Sequence, residues 1–181
     1  MVYVVIACHF RTRTDFCLTT DARLFAVYRK AKEGDRILVT GDVPYEHGCP
    51  TLGKLMRDWL VADAGLPENT VSVLDGGVGT FSEARIACKL LKNEKEFTVI
   101  SSPWYHFAGK PIWRRRAQEN DIGVSFISVP HTGGWRTWLT YAAIGIIVRV
   151  AIWTGLEGTL ERRLTAAQTK RRLGFTFDGC K

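Results

Sequence analysis

Five short apolar runs constrain the fold more than any other feature of this chain. Val2–Ala7, Arg36–Thr40, Thr70–Leu74, Phe97–Ile100 and Val124–Val129 are rich in β-branched residues, and a stretch of helical periodicity separates each from the next. A strand that is apolar on both faces has to be covered on both, and crossover helices over a parallel sheet do this. The expected fold is therefore α/β: a three-layer, Rossmann-like arrangement with a mainly parallel five-stranded sheet flanked by helices. A long apolar helix is expected near the C-terminus.

The segments between the strands carry helix signals of their own. Asp21–Lys32 closes at Glu33-Gly34, with Thr20 or Asp21 as its expected N-cap. Thr51–Ala64 places Leu52, Leu55, Met56, Trp59 and Leu60 on one face and stops at Gly65 and Pro67. Phe81–Lys92 follows Asp75-Gly76-Gly77-Val78-Gly79, and a loop carrying Pro103 and Pro111 leads to a helix ending near Asn120. Residues from about Trp135 to Leu164 read as helix. A chain of 181 residues suits one domain, here 1–164, with 165–181 as a polar basic tail.

Charge is distributed unevenly. The net charge is +7, yet residues 1–109 carry 13 of each sign, whereas residues 110–181 carry 12 basic and 5 acidic side chains. Such asymmetry suits an anionic partner or a pair of solvated helix faces. The five cysteines form no Cys-x-x-Cys pair. The first residues show neither a basic leader region nor a small-residue cleavage site, so reduced thiols and a cytoplasmic setting are expected.

In a parallel sheet, ligands bind beyond the carboxyl ends of the strands, where strand order reverses. All four histidines fall in loops on that edge: His9, His47, His106 and His131. Imidazole titrates near neutrality, so His106 and His9 are the leading acid/base candidates, with Asp42 as a nearby carboxylate. Satisfied loop histidines remain the plain alternative. The third loop carries a phosphate-type signal, because Gly77 and Gly79 permit close backbone approach at a helix start. Thr80 and Glu83 also match a capping box around Ser82, which explains them without any ligand. Gly77-x-Gly79-x-x-Ser82 imitates a dinucleotide fingerprint, but the next strand ends in Ser101-Ser102 rather than an acid, so NAD is not expected. A zinc site built from Cys8-His9 and His47-x-Cys49 matches no known knuckle spacing, so no metal is assigned. Neither a Gly-x-Ser-x-Gly elbow nor a Gly-x-x-x-x-Gly-Lys loop is present.

Taken in order, several of these segments resemble the YdcF/SanA/ElyC-type family, a bacterial, envelope-associated group. They are Val39-Thr40-Gly41-Asp42, Ala64-Gly65-Leu66-Pro67, Gly79-Thr80-Phe81-Ser82-Glu83-Ala84, and Val99-Ile100-Ser101-Ser102 with Tyr105-His106. The family's Ser-Gly-Gly falls on Thr40-Gly41-Asp42, and its Thr-x-Glu-Asn on Thr80, Ser82 and Glu83. Its Thr-Ser-x-x-His-x-x-Arg falls on Ser101, Ser102 and His106. Ala84 replaces the family's asparagine, and Arg114 is the nearest candidate for its arginine. The resemblance, over residues 2–130, implies a Rossmann-like sheet with a small-molecule pocket at its carboxyl edge. It also implies a link to peptidoglycan or lipid-carrier metabolism.

Together these readings set the expected function: binding of, and action on, a phosphate-bearing or nucleotide-like small molecule such as S-adenosylmethionine. The expected ligand set is Gly41, Gly77, Gly79, Thr80, Ser82, Glu83, Ser101, Ser102 and Arg114. A different class of reading comes from Trp138–Trp153, apolar nearly all round and interrupted only by Thr140, Gly145 and Arg149. A helix of this kind is usually buried, and sixteen residues are short for a span. Its cover could be its own sheet, a second subunit, or an anionic membrane surface drawn to the basic residues that follow. Nucleic acid ranks below these, because aromatic residues are not interleaved with the basic runs.

Overall fold

The computed structural model describes residues 1–12, 15–41, 49–130 and 134–173. Five strands form one parallel sheet: β1 (Val2–Val5), β4 (Arg36–Val39), β5 (Val71–Val73), β6 (Glu96–Ser101) and β7 (Gly123–Ser128). Their order is β5-β4-β1-β6-β7. The chain winds outward from β1 through β4 to β5, then crosses to the other side of β1 for β6 and β7. The strand order therefore reverses between β1 and β6.

Alternation within the strands builds a core on each face. Val2, Val4, Leu38, Phe97 and Val99 meet Phe81, Ala84, Cys88, Ile112 and Trp113 from α3 (Thr80–Leu90) and α4 (Tyr105–Gln118). On the opposite face, Tyr3, Val5, Ile37, Val39 and Ile100 meet α1 (Leu18–Lys30) and α2 (Leu52–Asp58). Leu24, Val27, Leu52 and Met56 supply those contacts. The expected three-layer sheet is present, and burial on both faces is why its strands read as continuous apolar runs.

Several local expectations change. The segment after β1 is not plain loop: β2 (Phe10–Thr12) and β3 (Asp15–Phe16) form a small antiparallel hairpin. Strands this short carry no periodic signal. Helix α1 begins at Leu18 with Cys17 at its N-cap and no side-chain cap bond. Thr20 instead accepts a hydrogen bond from the Cys8 N–H at 3.1 Å. After Asp58, α2 continues through one wider turn over Trp59–Asp63.

Pro111 lies inside α4 rather than in the loop before it. It has no N–H to donate to the Phe107 carbonyl four residues back. That carbonyl accepts instead from Arg149 Nη1 at 3.0 Å. Arg149 belongs to α5 (Trp135–Trp153), which packs along α4 and not on the sheet. Gly145 permits the approach, since a Cβ there would stand 2.4 Å from the same Phe107 oxygen. Two of the three residues that interrupt the apolar helix thus form its contact with α4.

The stretch expected as one helix to Leu164 breaks at Gly155, where φ is +72°. Leu156 N–H donates to Ala151 O and Gly155 N–H to Ile152 O, the two bonds of a glycine-terminated C-cap. Helix α6 (Glu157–Leu173) follows, so the first part of the expected polar tail is helical. Ion pairs hold α6 in place: Arg85 with Glu161, and Arg116 with Glu157 and Glu161.

Helix α5 starts at Trp135, as expected. It has 19 residues and is long and apolar enough to cross a membrane by length and composition. Only 17% of that window is buried, and Leu139, Ile146, Ile147, Val150 and Trp153 are exposed. An apolar helix was expected to be covered. This one is covered along a single stripe.

Candidate functional site at the sheet's carboxyl edge

Two threonine hydroxyls pin the loop leaving β1. Thr40, buried at the end of β4, accepts from the Ala7 N–H at 3.0 Å, and Thr20 holds the Cys8 N–H. Gly41 allows the two chain ends to close, because a Cβ there would lie 2.7 Å from the Ala7 Cβ and its φ is +93°. That glycine is explained by packing between the first two loops.

Arg23 sits in the middle of this arrangement, and the sequence reading did not select it. Thr20, Arg23, Leu24 and Val27 form the buried stripe of α1 at helical spacing, so an arginine occupies a core position. Its guanidinium donates to Ile6 O at 2.7 Å and to Ser102 Oγ at 2.9 and 3.3 Å. It also lies 5.7 Å from the centre of the Trp104 ring. These contacts join the ends of β1 and β6, the two strands between which the order reverses. Among the described residues no carboxylate pairs with it. Burial lowers its pKa, yet guanidinium stays protonated at neutral pH.

Around Arg23 stand two groups. On the β1 side, the hairpin returns Cys17 to His9, with Cys17 N–H donating to His9 O at 3.1 Å. Cys8 Sγ lies 3.1 Å from His9 Nδ1. Contacts to Cys8 and His9, and the start of α1, hold the Cys17 thiol far below the usual range, while the Cys17 contact pushes Cys8 up. The contact with Cys17 also raises His9, opposed by partial burial.

On the β6 side lie Ser101, Ser102, Tyr105 and His106. Ser101 Oγ and His106 Nε2 are buried and have no hydrogen-bond partner among the described residues. Burial first, then the charges of Lys110 and Arg23, push the His106 pKa down to about 4. At neutral pH this ring is uncharged and can accept a proton but has none to spare beyond its single N–H. His106, Lys110 and Arg114 follow one stripe of α4 over Phe126: a His106 ring contact at 5.7 Å, then cations at 5.2 and 5.7 Å. Arg114 is two turns, roughly 12 Å of helix axis, from His106. The cation beside His106 is therefore Lys110, which the spacing argument passed over.

The third loop divides its residues. Gly79 is the N-cap of α3, and Thr80 is the first helical residue, so the expected capping box does not form. Thr80 Oγ1 accepts from Tyr105 OH at 3.2 Å, which in turn accepts from Trp113 Nε1 at 3.1 Å. Thr80 and Tyr105 line a cavity of about 140 Å³ closed by Tyr141, Ile144 and Val148. Ser82 donates to Gly79 O at 2.9 Å. With Gly77, Arg85 and Arg162, Ser82 lines a separate cleft against α6. Buried Glu83 packs under Gly77, where an added Cβ would lie 3.0 Å from its Cγ. Asp42, His47 and His131 lie outside the described residues.

A depressed histidine has a measurable consequence. Between pH 6.5 and about 4 the unfolded chain binds a proton at His106 that the folded chain does not, so stability falls as pH falls through that window. His106→Gln should flatten that part of the pH–stability curve. In the parent, the His106 ring signals in NMR should stay those of neutral imidazole down to near pH 5. A ring that titrates near 6.5 would contradict the structure.

The sheet order, the reversal between β1 and β6, and the polar groups gathered there define a Rossmann-like α/β protein with its candidate site at the switch point. No family model, curated protein or solved structure matches the chain.

Proposed function

We propose that this protein binds, and acts on, a phosphate-bearing or nucleotide-like small molecule at the carboxyl edge of its sheet. On this reading it is a YdcF-like protein of cell-envelope metabolism, working in the cytoplasm. One observation carries the proposal: a buried arginine without a carboxylate partner among the described residues, placed where the strand order reverses. A charge held under low-dielectric walls acts on an anion above it with little screening. His106 Nε2 is a buried polar atom close enough to feel the Arg23 charge, the Ser101 hydroxyl is buried at the end of β6, and neutral His106 would serve as the base. The β1 loop brings His9, and the resemblance adds Asp42.

A second reading rests on the exposed face of α5, flanked by Arg163 of α6. It makes the protein a non-catalytic module on an anionic membrane or a partner. One set of measurements separates the two. Thermal shift with pyrophosphate, adenosine monophosphate, S-adenosylmethionine and a polyprenyl phosphate should give a saturable rise for at least one probe. At 100 times the dissociation constant, stabilisation is about 2.7 kcal/mol. If none of these probes shifts melting while the chain sediments with anionic but not neutral vesicles, the second reading replaces the first.

A further inference from the structure

We infer that Cys8, His9 and Cys17 form a binding site for a zinc ion with one open coordination position. One donor atom from each lies within 4.8 Å of the other two. Tetrahedral zinc with bonds of about 2.0–2.3 Å sets its donors roughly 3.5–3.8 Å apart, so small side-chain rotations close the site. The three residues are brought together by structure, not by spacing. The β2–β3 hairpin folds Cys17 back onto His9, whereas sequence spacing pairs Cys8-His9 with His47 and Cys49.

The donor set selects the metal. Two thiolates and an imidazole suit a borderline-soft ion and reject magnesium or calcium. His9 turns Nδ1 toward Cys8 Sγ, so Nδ1 is the ligating atom. The surroundings hold the ligands in place: Thr20 fixes the Cys8 backbone and lies 3.7 Å from Cys17 Sγ. Such supporting bonds orient metal ligands. Two thiolates cancel the charge of Zn²⁺, so the occupied site is neutral beside buried Arg23. Among the described residues no fourth carboxylate, thiol or imidazole joins the group. Water or an anionic ligand would take that position, as in zinc sites that do chemistry.

The test uses the full chain, reduced and stripped with a chelator, and titrated with cobalt(II). About one cobalt per chain is expected, with a thiolate-to-cobalt charge-transfer band and the intense visible bands of tetrahedral cobalt, both removed by zinc. Loss of supporting partners alone costs about 10–100-fold in affinity, so Cys17→Ser should weaken binding by more than roughly 100-fold. His9→Ala, at an exposed position, gives the same readout if Cys17→Ser fails to fold. Cys88→Ala, in the core between α3 and α4, should leave the spectrum unchanged. Absent bands in the reduced chain would overturn the site, as would bands that persist in both ligand variants. Recovery of Cys8 and Cys17 as a disulfide that retains no metal after reduction would also overturn it. None of these readouts involves the phosphate-bearing ligand, so the two proposals can fail separately.

Discussion

Arg23→Met is expected to weaken binding of a phosphate-bearing ligand about 100-fold while leaving the fold close to its original stability. At a separation of about 5 Å and an effective dielectric near 20, one unit charge contributes about 3 kcal/mol, or two orders of magnitude in affinity. The stability side is a balance. Met retains most of the packing and removes a cation whose burial is unfavourable, as its lowered pKa records. Against this, Ile6 O and Ser102 Oγ lose their donors, at about 1–3 kcal/mol each if left unpaired. Relief of the cation's burial offsets part of that loss, so the net change should stay within about 2 kcal/mol. Denaturant unfolding and calorimetric titration with the best probe ligand measure the two effects. A loss of stability above about 4 kcal/mol would make Arg23 a structural clamp instead.

Gly145→Val should release α5 from α4. The added carbon atoms would meet the Phe107 carbonyl, already 2.4 Å from a single Cβ. The two nearest atoms are Phe107 backbone, which cannot swing aside as the Arg149 side chain can, so the cost should be about 2–3 kcal/mol. The same carbonyl links Pro111 to Arg149. Arg149→Met should cost about 1 kcal/mol in the parent and less with Pro111→Ala, whose restored N–H supplies the missing donor. Equal costs in both backgrounds would show that the Arg149 bond does not answer the proline.

The sheet was legible because its strands are buried on both faces and its crossovers are amphipathic. Val2–Ala7 needed no partner information to read as a strand of the sheet. What stayed illegible depends on contacts distant in sequence. Arg23 looks like any helical arginine until α1 is docked and its stripe proves to be the buried one. Cys17 joins His9 only through a hairpin of two- and three-residue strands. Pro111 reads as part of the loop before the helix, and its place inside α4 goes with an Arg149 donor that arrives from much later in the chain. In the third loop, the local pattern of a capping box lost to a tertiary bond, because Tyr105 donates to Thr80. Of the chosen site residues, Ser102 and His106 border Arg23, while Arg114 lies further along α4 and Ser82 lines a different cleft.

The strand order also governs how this chain can be made. Tyr3 pairs with Ile37 on one side and Thr98 on the other, so the earliest of these five strands to be synthesised is the centre of the finished sheet. No two neighbours in that sheet are joined by a hairpin, and every pairing waits for a crossover to close. Until β6 is synthesised, one edge of β1 stays bare, an apolar template open to other chains. Nascent fragments ending before Glu96 should therefore depend on chaperones far more than the finished protein does.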